Sequence, residues 1–98
     1  MLIPGKVVLV TGGGRNVGAG IVQSLAREGA TVIINYNQSA EKAAALCESL
    51  TQQGQWALAW QCDITDSDAV TRMVEGIVEK YGRIDAVINN ASNTRPIR

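Results

Sequence analysis

Histidine is absent from the 98 residues, and cysteine occurs only at Cys47 and Cys62, without C-x-x-C spacing. Neither a zinc site nor a disulfide framework has the residues it needs, so both thiols are expected to be small core side chains. An excess of charge of one sign is also lacking: nine basic and nine acidic residues cancel, and no basic tract offers a footprint for nucleic acid or anionic lipid. No apolar run reaches membrane-spanning length, and Met1 to Pro4 is too brief for the apolar part of a secretory leader. The expectation left by these absences is a cytoplasmic protein, with neither nucleic acid nor membrane as partner. At 98 residues the chain is one domain at most and short for an α/β domain, so it reads as part of one.

What is present centres on Val7 to Ile21, V-V-L-V-T-G-G-G-R-N-V-G-A-G-I. An apolar run, a glycine-dense loop and the opening of an amphipathic helix follow one another. A helix start offers unpaired N–H groups and a positive partial charge, and glycine lets backbone approach an anion, so this order signals nucleotide binding.

The rest of the chain repeats a βα unit. Apolar runs at Val7 to Val10, Thr31 to Ile34, Trp56 to Trp60 and Asp85 to Ile88 predict strands, and the gaps between them carry helical periodicity. The expected buried faces are Val17, Ile21 and Leu25 in the first helix, and Ala43, Leu46, Cys47 and Leu50 in the second. In the third they are Val70, Met73, Val74, Ile77 and Tyr81. Gly29, Gly54 and Gly82 are the predicted helix stops, and Asp66 or Thr65 the predicted cap of the third helix. Trp56, Leu58 and Trp60 alternate with Ala57 and Ala59, which suits a strand near an edge. Right-handed crossovers place two helices on one face and return the third to the other, giving a doubly wound parallel α/β sheet of strand order 3-2-1-4. The reversal opens a crevice at the carboxyl ends of strands one and four, where open α/β sheets take ligands.

Glycine spacing decides the kind of cradle. G-x-G-x-x-G from Gly12 would put its third glycine on Val17, and the P-loop's G-K-[ST] is missing. T-G-x-x-x-G-x-G fits from Thr11-Gly12 to Gly18, with Asn16 in place of the middle glycine. A second register, Gly14, Gly18 and Gly20, leaves Val10-Thr11-Gly12 unexplained.

With this motif the sequence resembles the short-chain dehydrogenase/reductase family from Lys6 to Ser92. The marks, in order, are V-T-G at Val10 to Gly12, V-G at Val17-Gly18, E-G-A at Glu28 to Ala30, C-D-I-T-D at Cys62 to Asp66, Y-G-R-I-D at Tyr81 to Asp85 and N-N-A at Asn89 to Ala91. It is most similar to the compact single-domain branch, such as 3-oxoacyl-carrier-protein reductases. The resemblance implies a Rossmann-like fold, of which residues 1–98 are the N-terminal βαβαβαβ portion. It also implies nicotinamide-cofactor binding by Gly12, Gly14, Arg15, Asn16, Val17 and Gly18 in the loop. Further along, it implies Tyr36, Asn37 and Ser39 after the second strand, Asp63 and Ile64 after the third, and Asn89, Asn90 and Ala91 after the fourth. Asp63 is open to two readings, a contact with the adenine amine and a cap on the next turn. Asp85 reads as structural. Ser92 stands where the family signature N-N-A-G has glycine.

The family's proton chemistry belongs to a Ser, a Tyr and a Lys four residues after the Tyr. Here Tyr36 is followed by Ala40 and Tyr81 by Asp85, so neither phenol has the cation that would lower its pKa. No catalytic residue and no metal ligand is assigned within the chain, and the catalytic trio is expected beyond Arg98. The expectation is the cofactor half of an oxidoreductase passing hydride between NADP(H) and a carbonyl or alcohol, inactive by itself and homo-oligomeric in the parent. The alternative is a non-catalytic dinucleotide-binding or interaction module. NADP is expected over NAD because Asn35 to Ser39 hold no carboxylate to bind a ribose 2′-hydroxyl, and Arg15, Asn37 and Ser39 are donors for a 2′-phosphate.

Overall fold

The β-branched runs V-V-L-V and T-V-I-I extend as strands buried on both faces, and the amphipathic segments between them coil back over the sheet. In this computed structural model residues 2–12 and 16–90 are described, with the backbone alone at 16 and 17. The order is β1 (Val7–Thr11), α1 (Asn16–Arg27), β2 (Thr31–Tyr36), α2 (Ala40–Gln52), β3 (Trp56–Gln61), α3 (Ser67–Tyr81) and β4 (Ala86–Asn89). All pairings are parallel and the sheet runs β3-β2-β1-β4, as expected. Val8 lies beside Val32 on one side and Ala86 on the other.

Alternation along the strands divides the core in two. Val8, Val10, Val32 and Ile34 meet Val22 and Ala26 of α1 and Ala43, Leu46 and Leu50 of α2. On the opposite face Val7, Leu9 and Ile33 meet Met73 and Ile77 of α3, with Leu58 and Trp60 at the margin. The two-and-one distribution of helices is the one right-handed crossovers require.

The predicted helix faces need three corrections. In α1 the fully buried line is Gly18, Val22 and Ala26, while Ile21 and Leu25 flank it half-buried. Small residues at i, i+4 and i+8 bring the helix axis close to the sheet, and the larger side chains then reach the core from its sides. In α3 the contact line is Met73 and Ile77; Val74, one position round the helix from Met73, is exposed. Cys47 is half-buried, its thiol 3.4 Å from the Ala57 carbonyl, while Cys62 is fully in the core.

Helix ends follow the sequence. Asp66 rather than Thr65 caps α3, its carboxylate accepting from the N–H groups of Asp68 and Ala69 at 3.1 Å. Gly82 takes a left-handed φ of 87° and returns its N–H to the Val78 carbonyl. Gly29 and Gly54 also have positive φ at the other two stops. Among the described residues β3 is an edge strand, with Trp56 66% exposed. Among the described residues β4 pairs with β1 alone, and Val87, beside Leu9 on the α3 side of the sheet, is 58% exposed.

Candidate functional site

The register that pairs Thr11 with Asn89 brings the ends of β1 and β4 together. The Thr11 hydroxyl donates to Asn89 Oδ1 at 2.8 Å and accepts the N–H of Asn90 at 3.0 Å. The next residue, Gly12, turns the chain out of the sheet with a φ of 66°, a conformation costly for a side chain with Cβ. Both of its backbone groups are tied: its N–H donates to Asn35 Oδ1 at 3.4 Å, and its carbonyl accepts from Asn90 Nδ2 at 3.2 Å. Helix α1 begins at Asn16, so Asn16 lies beside the cap position, and Gly18 is buried within the first turn. Gly14, Arg15 and Ala91 lie outside the described residues, as do the side chains of Asn16 and Val17 and the Ser92 departure. Arg98, beyond which the catalytic trio is expected, lies outside them too.

At the end of β2, Tyr36 is half-buried against the core beneath α1 and α2. Asn37 is exposed and accepts from Gln61 Nε2 through both its carbonyl, at 3.3 Å, and its side-chain oxygen, at 3.2 Å. Ser39 occupies the cap position of α2, its carbonyl receiving the Ala43 N–H at 3.0 Å. Beyond β3, the Cys62 N–H donates to the Tyr36 carbonyl at 2.9 Å, which holds the two strand ends together. Burial, then the neighbouring carboxylates of Asp63 and Asp66, push the Cys62 thiol above its ordinary pKa, so it stays protonated and is no nucleophile. Asp63 Oδ1 accepts from both the hydroxyl of Thr65, at 2.7 Å, and its N–H, at 2.9 Å. These two bonds, the hydroxyl foremost, hold its carboxyl below the usual carboxylate range. Thus the turn-capping role is present, and Ile64 beside it is exposed.

Asp85 serves the far end of the same strand pair. It accepts the Val7 N–H at 2.7 Å and the Arg83 Nε–H at 2.7 Å, while Arg83 Nη2 donates to the Gly5 carbonyl. The Val7 bond and then Arg83 lower its pKa. The residue is structural, as expected. Tyr81 packs at the margin of the α3-side core, and burial raises its phenol's pKa, the opposite of what an acid–base catalyst needs.

The residue sequence reasoning passed over is Asn35. It is 2% exposed and two positions beyond Ile33 on the α3 side of the sheet. The available signal was a polar residue closing the run T-V-I-I where a further apolar residue would continue the core.

An anionic nucleotide suits this arrangement. Gly12 carries no side chain at the turn, the first turn of α1 has no acidic residue, and residues 35–39 contain no carboxylate.

The profile of the short chain dehydrogenase family matches residues 6–97. The chain belongs to this family. The doubly wound 3-2-1-4 sheet is its Rossmann-like arrangement, and its members are oxidoreductases. Hydroxynaphthalene reductase arp2 of Aspergillus fumigatus is 44% identical over 89 residues, 91% of this chain and 33% of that reductase. The short-chain dehydrogenase/reductase homolog YusS of Bacillus subtilis is 38% identical over 97 residues, 99% of this chain and 89% of its own. A short chain dehydrogenase from Burkholderia cenocepacia, solved in complex with NADP, superposes with a TM-score of 0.89 at 41% identity, over 97% of this chain and 39% of that one. The chain thus spans about a third of the fungal reductase's length and nearly all of YusS. Among the described residues no helix is long and apolar enough to cross a membrane.

Proposed function

We propose that residues 1–98 form the cofactor-binding part of an NADP(H)-dependent oxidoreductase acting on a small carbonyl or alcohol. The observation that carries this reading is the position of the Thr11-Gly12 turn and the amino end of α1 at the point where strand order reverses, beside Asn89 and Asn90. In this reading Gly12, Gly14, Asn16, Val17 and Gly18 hold the diphosphate. Arg15, Asn37 and Ser39 take the 2′-phosphate. Tyr36, Asp63 and Ile64 border the adenosine, and Asn89, Asn90 and Ala91 the nicotinamide ribose. The bound cofactor supplies or accepts hydride. No residue within 1–98 is assigned the proton transfer, since neither Tyr36 nor Tyr81 has a lysine four residues on. That role, the substrate pocket and a homo-oligomeric interface are assigned to the length over which the larger relatives extend past the match. The NADP complex of the Burkholderia relative supports the choice of cofactor.

Arg15→Ala tests that choice. A charge-assisted hydrogen bond to the 2′-phosphate contributes about 1.5 to 3 kcal/mol, so its loss is expected to cut the NADPH-over-NADH preference roughly 10- to 150-fold. Unchanged preference in steady-state kinetics or titration contradicts the assignment. The second reading, a dinucleotide-binding module without turnover, is favoured by the near-complete span of YusS. NADPH oxidation with a panel of carbonyl compounds separates the two: turnover by the whole protein selects the enzyme, and binding without turnover selects the module. Residues 1–98 alone are expected to show none.

A further inference from the structure

Asn35 is the last inward-facing residue of β2 on the α3 side, following the fully buried Ile33. Its hydrogen-bonding groups leave the strand ladder. Nδ2 donates to the Cys62 carbonyl at 3.1 Å and the Trp60 carbonyl at 3.4 Å, Oδ1 receives the Gly12 N–H at 3.4 Å, and the Met73 sulfur lies 3.9 Å from Nδ2. Both amide protons and the side-chain carbonyl therefore have partners, in an otherwise apolar setting where an unpaired amide would be costly.

An isoleucine or leucine at this position would extend the core at lower cost than a buried amide, so the amide's partners are the informative feature. The β1–β2 ladder ends at Val10 and Ile34, which leaves Gly12 beyond it. The β2–β3 register ends at Tyr36 and Gln61, and the Cys62 N–H bonded to the Tyr36 carbonyl at 2.9 Å is its last backbone tie. One side chain thus joins the first residue of the glycine turn to the residue preceding Asp63, the two segments that enclose opposite ends of the nucleotide site. Neither segment is fixed to the other by strand pairing.

We propose that Asn35 is a positioning residue for the dinucleotide: it sets the backbone of Gly12 and the turn after β3 at a fixed separation before the ligand arrives. This rests on the crevice being the dinucleotide site. Pre-ordering both ends lowers the ordering cost of a ligand that spans them, so the effect falls on affinity as well as on stability.

The test uses the full chain without ligand and then with NADPH. In the unmodified protein the Gly12 amide and the Asn35 side-chain amide protons are expected to exchange slowly with solvent; fast exchange at either overturns the proposal without any variant being needed. In Asn35→Leu, held well below its melting temperature, Gly12 exchange is expected to accelerate and the NADPH dissociation constant to rise roughly tenfold or more. Ile77→Val loosens the same α3-side core without touching Asn35, and is expected to lower the melting temperature while leaving the NADPH dissociation constant unchanged. A folded Asn35→Leu protein with unaltered NADPH affinity overturns the positioning role, as does an Ile77→Val protein that loses as much affinity for the same loss of melting temperature. Failure of the unmodified protein to bind NADPH at all overturns the cofactor reading, and with it the nucleotide role of Asn35. Slow Gly12 exchange that accelerates on Asn35→Leu would then leave the residue as a structural tie alone.

Discussion

Asp85 and Asn89 stand four residues apart and do different work because β4 runs parallel to β1, with one at each end of the pair. At the start, Asp85 closes the Val7 N–H and orients Arg83 onto Gly5; at the finish, Asn89 and Asn90 fasten Thr11 and Gly12. The Asp85 carboxyl has a folded pKa below its unfolded value, about 3.9. Its contribution is therefore complete above that value and is lost as pH falls through the lower, folded value. Asp85→Asn is expected to lower the melting temperature at neutral pH, with the deficit shrinking as pH falls from roughly 4 through the lower, folded value at which the native carboxylate protonates. Melting curves of both proteins from pH 7 to pH 3 check this; a deficit constant across the range contradicts the ionic role. The sequence suggested a structural Asp85 and a motif from Asn89, but Asn35 was illegible as a tie. Its partners lie 23 and 27 positions away, and only the sheet's register brings them together.

Among the elements, α3 shows most clearly what periodicity does and does not determine. Its cap at Asp66 and stop at Gly82 were readable because each acts on its own helix end through bonds to nearby backbone. The exposed Val74 was not, because the width of a buried face depends on what the helix packs over. Gly76, in the interior of α3, has the same kind of hidden cause. A methyl there would strike the six-membered ring of Trp60, meeting Cζ2 at 2.8 Å and Cη2 closer still. Gly76→Ala would gain about 1 kcal/mol of helix propensity against overpacking that typically costs about 1–3 kcal/mol. The expected net result is destabilisation of about 1 kcal/mol. Combined with Trp60→Leu, the alanine is expected to become neutral or stabilising. Denaturant melts of the four members of this cycle measure the coupling, and an alanine that stabilises on its own removes the packing account of Gly76.

For the whole molecule, the alternation of apolar runs with helical segments and the handedness of crossovers were enough to reach the 3-2-1-4 order and the two-and-one division of helices. These follow from steric rules that act on any βα repeat. The point of strand reversal was equally legible, since the order of crossovers places it without reference to side chains. The joints that shape it were not, because Gly12, Asn35 and Asn90 meet only after the sheet has formed. The polar knot of Thr11, Asn89 and Asn90, the Gly12 turn and a β2 end without carboxylates are the features on which the proposed preference for a 2′-phosphorylated dinucleotide rests. Parallel calorimetric titrations of the unmodified chain with NADPH and NADH at one ionic strength test this most directly. The account predicts saturable binding of NADPH at one site per chain, at least about tenfold tighter than NADH; equal affinities, tighter NADH binding, or no binding of either nucleotide would contradict it.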